Sequence, residues 1–332
     1  MRQALFTTRL ALFLAALLAM ANGANAQSLK GVNLAGAEFA TSHLPGRYGW
    51  DYSYPTMGEI AYFTSKNMNV FRLPVRWERL QPTLNGPLDP QELGRLTQFI
   101  AEAHEHGASV VIDIHNYGNF HNTGFEQNPA LTPAFADLWR RLALTFGQDD
   151  YVIFGLMNEP KLKDASVWKD AVQQAIDSIR ATGAKNQILV SGTDWDGAHN
   201  FVTVSGTSLL GLTDPQNRLV FEVHQYFDKN FSGTSPGCMD PDQAVATLTQ
   251  FTQWLRANKR QGFLGEFGVS PQPNCLAVLD RVVSYMHTNS DVWLGWTYWA
   301  AGPRWKNYMF TLEPAHGEDQ PQMLVLQKHL GE

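Results

Sequence analysis

Apolar residues fall into short runs along this chain, at 31–34, 70–73, 109–114, 152–157, 188–191, 219–223, 262–265 and 293–298. Many of these runs are continuously apolar. Strict alternation would mark a strand with one wet face, whereas a continuous run suits a parallel strand covered on both faces. Helical patterns lie between them. Asp89-Pro90-Gln91-Glu92 supplies an N-cap, a proline at the first helical position and a glutamate placed for a capping box. Leu93, Leu96, Phe99, Ile100 and Ala103 then share one face, and Gly107 is placed to end the helix. Thr132-Pro133 opens a second helix with Phe135, Leu138, Trp139, Leu142 and Phe146 inward, and 165–182 and 242–258 are comparable. The stretch 192–218, rich in Gly, Ser and Thr, is the weakest helical segment. Strand and helix alternating without a linker predict α/β class and one (β/α)8 TIM barrel, a single domain. A doubly wound open sheet is the alternative. It would want a phosphate-binding turn after the first strand, and 31–36 lacks the G-x-G-x-x-G spacing.

The first 26 residues stand outside this pattern. Arg2 and Arg9 give a positive start, residues 10–20 an apolar core, and Ala24-Asn25-Ala26 a small-x-small cleavage signal. These features predict a signal peptide over 1–26, Gln27 as the mature N-terminus and a secreted catalytic domain over 27–332. A retained anchor is the alternative, but no later stretch approaches the roughly 20 apolar residues of a span. The net charge of −6 argues against nucleic acid as a partner. Cys238 and Cys275 are the only cysteines. In an exported chain an even pair points to a disulfide, with two buried thiols as the alternative.

The ends of the predicted strands are polar. Pro160 should stop a central strand, so FGLMNEP (154–160) delivers Asn158 and Glu159 to a sheet rim, and GFLGEFG (262–268) does the same for Glu266. Arg72, His115, His224, Tyr226 and Trp299 end others. All such ends face one cleft in a barrel. Two carboxylates on separate strands suit glycoside hydrolysis, in which one carboxyl stays protonated and the other ionised. Glu159 has no cationic neighbour in sequence and is the candidate acid. Glu266 is the candidate kept ionised, by Arg72 and the Tyr226 hydroxyl. Asn158 is placed to bind the hydroxyl beside the reacting carbon, with Trp299 as the floor under that sugar. Metal chemistry competes for Asp113, His115, His224 and the glutamates, but no H-E-x-x-H occurs and no third His ends a strand. Asp113 is read as structural.

These residues resemble glycoside hydrolase family 5 over essentially the whole mature chain. GVNLAGAEF (31–39), FRLPVRWERLQP (71–82), IHNYG (114–118), LMNEP (156–160), HQYFD (224–228), GEFG (265–268) and WTYWAAGP (296–303) carry the likeness in order. The first and last are most similar to secreted endo-β-1,4-glucanases shared by fungi and bacteria. The resemblance implies Glu159 as acid/base and Glu266 as nucleophile. It implies Arg72, His115, Asn158, His224, Tyr226 and Trp299 around the reacting sugar, and Trp195 and Trp305 as flanking sugar platforms. It places a cis peptide at Trp299–Ala300. Tyr298 and Arg304 stand where such proteins often carry Trp, which implies fewer aromatic contacts near the cleft. The expected function is retaining hydrolysis of internal β-1,4 bonds of cellulose or soluble β-glucan by a secreted monomer, without cofactor or metal. A β-mannanase or other endo-β-glycanase, and an inactive glycan-binding protein, are the alternatives.

Overall fold

The computed structural model of the protein describes residues 28–331; the expected signal peptide and Gln27 lie outside them. Eight parallel strands close into a barrel: β1 (Leu29–Leu34), β2 (Val70–Val75), β3 (Ser109–Ile114), β4 (Val152–Gly155), β5 (Ile188–Ser191), β6 (Leu219–His224), β7 (Gly262–Glu266) and β8 (Trp293–Ala301). Each pairs with its neighbour in sequence, and β8 closes on β1 with Leu29 opposite Gly295 and Gly31 opposite Thr297. The flanking helices are α1 (Met57–Ser65), α2 (Pro90–Glu105), α3 (Leu131–Phe146), α4 (Ala165–Ala181), α5 (Pro241–Ala257), α6 (Pro273–Thr288) and α7 (Pro321–Leu330).

The structure refines three local expectations. The segment after β5 forms only a short irregular helix, in which a π-helical stretch, Val202–Gly206, runs straight on into Thr207–Leu209 after the turn Asp194–Asp196, because its Gly, Ser and Thr offer little apolar face to dock. Asp89 caps α2 by accepting from the amides of Gln91 and Glu92, but Glu92 does not complete the box. Its carboxylate accepts instead from the hydroxyls of Tyr52 and Tyr54 and from Arg95. The β4 ladder ends at Gly155, short of Met157. The chain beyond is irregular yet anchored, with the Leu156 amide on the Leu189 carbonyl (3.2 Å) and the Asn158 amide on that of Ile114 (2.8 Å).

The barrel interior is layered. At its N-terminal end Val70, Val111, Ile153, Leu189, Val220 and Phe263 pack together, joined by Leu29 and Leu294. One layer up, the inward positions turn polar, with Arg72, Asp113 and Glu222 all buried. Gly265 makes room there, since a Cβ on it would lie 2.1 Å from a Glu222 carboxylate oxygen. The apolar plug therefore supports a charged layer, and the reacting groups stand on top of that layer.

Cys238 and Cys275 form a disulfide that joins the loop after β6 to the first turn of α6. It closes a loop with a sequence separation of 37. Replacing both cysteines by serine is expected to cost about 2–4 kcal/mol in urea unfolding, chiefly by freeing the unfolded chain. An unchanged midpoint would show that this loop is already constrained without the bond.

Candidate active site

Arg72, expected at the end of its strand, lies instead inside β2, which stays paired with β3 as far as Val75, and organises the site from there. It is fully buried, and its planar fork reaches four neighbours. Nε donates to Glu222 (2.8 Å), Nη1 to Asn33 and to Glu266 Oε1 (both 2.9 Å), and Nη2 to the Asn158 side-chain carbonyl (2.8 Å). Asp113 lies 3.2 Å from Nη1. The Tyr226 hydroxyl donates to the other Glu266 oxygen at 2.9 Å. Each oxygen of Glu266 thus accepts one hydrogen bond, as the sequence pairing of Arg72 and Tyr226 with Glu266 anticipates. Burial pushes the Glu266 carboxyl up from its ordinary value, against the pull of His224 and Arg72. For Glu222 the balance goes the other way. Its burial is outweighed by Arg72 and His224, and its carboxyl is held below the usual range.

Glu159 sits at the rim, half-buried, with a backbone φ of +41° that turns the chain out of β4. Such a backbone costs energy, and residues held in it cluster at functional sites. No cation neighbours Glu159 in sequence, but the fold supplies one. His224 Nδ1 lies 2.8 Å from Glu159 Oε1 and 3.6 Å from Glu266 Oε2. Burial opposes a charge on His224, yet Glu266 and its contacts with Glu159 and Glu222 hold the imidazole well above its usual range. His115 behaves oppositely, since burial holds it well below that range. Its Nδ1 faces Asp113 at 2.7 Å and its Nε2 faces the Tyr117 hydroxyl at 3.2 Å. Asp113, read from the sequence as structural, is buried between His115 and Arg72.

Aromatic rings line the cleft on both sides of the glutamates. Trp299, followed by a cis peptide to Ala300, stacks on His115 with centroids 5.7 Å apart. Trp305 meets the Trp299 edge at 5.8 Å and that of Phe39 at 5.1 Å. On the Glu159 side, Trp195 is 48% exposed, with the Lys161 ammonium 3.8 Å from its ring centroid. It rides on a turn in which Asp194, Trp195 and Asp196 all have positive φ. A cleft of about 490 Å³ opens there, lined by Glu159, Trp195, His199, His224, Tyr226 and Phe231 among others. Tyr298 does not face the cleft. It is buried, and its hydroxyl donates to the Val269 carbonyl. The structure thus brings Glu159, Trp195, His224 and Tyr226 to one cleft, joins Glu266, Arg72 and Asn158 to them by hydrogen bonds, and sets His115, Trp299 and Trp305 in one aromatic cluster.

Sequence reading named Tyr117 only as a strand end and missed Asn33, Glu38 and Glu222. A charge in the middle of the apolar run LVFEVH was the available signal for Glu222. Oxygen and nitrogen donors of Glu159, His224 and Glu266 lie within 4.8 Å of one another and could gather round a cation. His224 would have to give up a proton to join them, because a ligating imidazole is neutral.

The family model "Cellulase (glycosyl hydrolase family 5)" matches residues 23–302. This chain belongs to that family. Endoglucanase gh5-1 of Neurospora crassa is 39% identical over 289 residues, 86% of this chain and 73% of that protein. Endo-beta-1,4-glucanase A of Emericella nidulans is also 39% identical over 289 residues, covering 86% and 87%. Among solved structures, XacCel5A in complex with cellopentaose is 47% identical with a TM-score of 0.89, covering 91% of this chain and 99% of that one. The endo-beta-1,4-glucanase Xac0029 from Xanthomonas axonopodis pv. citri is 44% identical with the same TM-score, covering 91% and 98%. The protein is a glycoside hydrolase of the family 5 barrel type, and its charged layer sits directly under the glutamate pair.

One pH effect follows from a buried carboxyl near the charged layer. Glu38 is buried, its Oε2 taking the Gly36 amide at 2.7 Å, and burial pushes its carboxyl up to about 8. Between its ordinary value near 4.5 and about 8, the unfolded chain holds fewer protons at this position than the folded one. Stability should therefore fall as pH rises through that window, by at most about 1.4 kcal/mol per pH unit from this group. Glu38→Gln is expected to flatten the slope measured by urea unfolding between pH 5 and pH 8. An identical slope in both proteins would show that Glu38 ionises freely.

Proposed function

We propose that this protein is a secreted endo-β-1,4-glucanase that cuts cellulose-like chains internally with retention of configuration. The carrying observation is the carboxylate pair. One oxygen of Glu159 and one of Glu266 lie within 4.8 Å of each other. Retaining glycosidases keep their carboxyl groups about 5–5.5 Å apart, whereas inverting ones leave a gap for water. The names of the relatives favour β-1,4-glucan as the substrate class, and the residues at 1–26 favour export. No described helix is long and apolar enough to cross a membrane.

In this reading Glu266, oriented by Arg72 and Tyr226, attacks the anomeric carbon. Glu159 accepts from His224 on Oε1, which leaves Oε2 to carry the proton given to the departing oxygen. Formation of the glycosyl ester removes the Glu266 charge from beside Glu159. Glu159 then takes a proton from the incoming water as general base. The Asn158 side-chain nitrogen is buried without a partner, while Arg72 holds its oxygen. It is a donor ready for the hydroxyl next to the reacting carbon.

The test is viscosity loss alongside reducing-sugar release on carboxymethylcellulose, with Glu266→Gln as the control. A fast viscosity drop confined to the wild type is expected. No change with either protein, together with turnover of galactomannan, would move the substrate to mannan. Activity is also expected to survive prolonged chelation, and its loss would bring metal chemistry back.

A further inference from the structure

Two glutamates outside the reacting pair meet where the chain leaves β8. Glu313 Oε1 accepts the Gly302 amide at 2.7 Å. Glu59, buried in the first turn of α1, accepts on Oε2 from the Thr56 amide (2.6 Å) and hydroxyl (3.1 Å). The Glu313 and Glu59 side chains are also hydrogen-bonded to each other. Ionised carboxylates only accept, so that bond exists only while a proton lies between the two. The other ionisable groups at this junction are Tyr62, which feels the Glu313 charge, Lys66 and Asp319. Lys66 is ion-paired with Asp319 at 2.6 Å, and the same carboxylate takes the Tyr62 hydroxyl at 2.8 Å. Arg304 is turned away to Ser53 Oγ (3.0 Å) and the Trp50 carbonyl (2.9 Å). Among the described residues no ion pair offsets either glutamate.

What the pair holds is the exit of β8. The Gly302 carbonyl accepts the Trp305 amide at 3.3 Å, and Trp305 stands edge-on to Trp299 at 5.8 Å. The Leu312 amide donates to the Ala300 carbonyl at 3.0 Å, so the loop returns to the strand beside Glu313. Gly302, at φ +140°, is pressed against the loop after β1: a Cβ on it would lie 2.0 Å from the Ala35 carbonyl oxygen. A shift of Gly302 is therefore passed on to Trp305 and Trp299. We propose that Glu59 and Glu313 are positioning residues that share one proton as a latch, seating the β8 exit loop, with Trp305 and the Trp299 floor, on the start of α1. The consequence for substrate rests on the function proposed above. Burial, and then the Glu59 charge, push the Glu313 carboxyl up to about 7, against the pull of the Gly302 amide. Between its ordinary value of 4.5 and about 7, the latched loop keeps a proton that a freed loop releases. The latch therefore weakens as pH rises through that window. Above it, two like charges face each other and repel. Glucan binding weakens with the latch, because a cleft seated for only part of the time binds in proportion to that fraction.

The experiment follows amide hydrogen exchange of segment 302–313 between about pH 5 and pH 8, as protection factors that remove the pH dependence of free amides. It compares wild type, Glu313→Gln and Glu313→Ala. Glutamine keeps an acceptor for Gly302 and gives Glu59 an amide hydrogen that does not titrate. Wild type should lose roughly fivefold in protection across the range, the low end of a coupling between two sites. Glu313→Gln should hold its protection throughout, and Glu313→Ala should lack it at both ends. Helix α3 should show one pH dependence in all three proteins, which marks the change as local. KM on neutral hydroxyethylcellulose should rise about fivefold in wild type relative to Glu313→Gln over the same range, with little change in the ratio of kcat values. The reacting glutamates titrate alike in both proteins and cancel in these ratios. Equal pH dependence of protection in wild type and Glu313→Gln would overturn the latch. A KM ratio that stays constant would overturn its hold on the cleft. A wild type inactive on every β-glucan would overturn the proposed function, and the exchange result would still decide the latch.

Discussion

Glu266→Gln is expected to fold normally and to lose on the order of 10⁴-fold or more in kcat, about 5 kcal/mol or more of barrier lowering. An amide keeps the size: its oxygen can still accept from Arg72, while its NH2 requires the Tyr226 hydroxyl to turn and accept. It cannot form the glycosyl ester. The folded state loses little, because Arg72 still has Glu222 at 2.8 Å and Asp113 at 3.2 Å. Removing a buried charge should leave the melting temperature equal or higher, the usual sign of a residue kept for chemistry at some cost to stability. Rates on an activated aryl cellobioside and a melting curve check both halves. Glu266→Ala supplied with azide should regain turnover on that substrate and give the opposite anomer. Wild-type-like turnover by Glu266→Gln would remove Glu266 from the reaction.

Arg72→Met should do the reverse, with its largest effect on stability. The guanidinium is fully buried and neutralises a layer that holds Glu222, Glu266 and Asp113. Removing one member of a buried ion network leaves the others uncompensated and costs about 3–5 kcal/mol. Arg72→Lys should recover only part of this, because a single ammonium cannot reach Asn33, Asn158, Glu222 and Glu266 together. Urea unfolding of the three proteins gives the comparison. An Arg72→Met protein as stable as wild type would mean that the buried carboxyls take up protons at no cost. Activity should fall in both variants, since Glu266 loses its orientation.

These two outcomes separate what was legible in the chain from what was not. The barrel was legible because each strand announces itself locally, as a continuous apolar run between helical periods. The ends of those runs named the two glutamates, the arginine and both histidines, since strand ends in a barrel converge whatever the loops do. Local reading failed where a side chain chose a distant partner. Glu92 had the right position for a capping box, yet turned to Tyr52 and Tyr54 across a loop. The helix expected to be weak after β5 is indeed short and irregular, because the Gly, Ser and Thr there offer little apolar face to dock.

By itself the sequence determined the class of chemistry, namely two carboxylates on separate strands over an apolar plug. Only the tertiary structure decided how those carboxylates are poised. His224 lies 65 positions from Glu159, and Arg72 lies 194 from Glu266. No pattern within one strand carries such pairings. Alternation along a strand says that a side chain points inward, but only barrel closure says which charge it meets, at what distance and away from how much water. Desolvation and Coulomb interaction depend on that meeting; they push the Glu266 carboxyl up and hold that of Glu222 down.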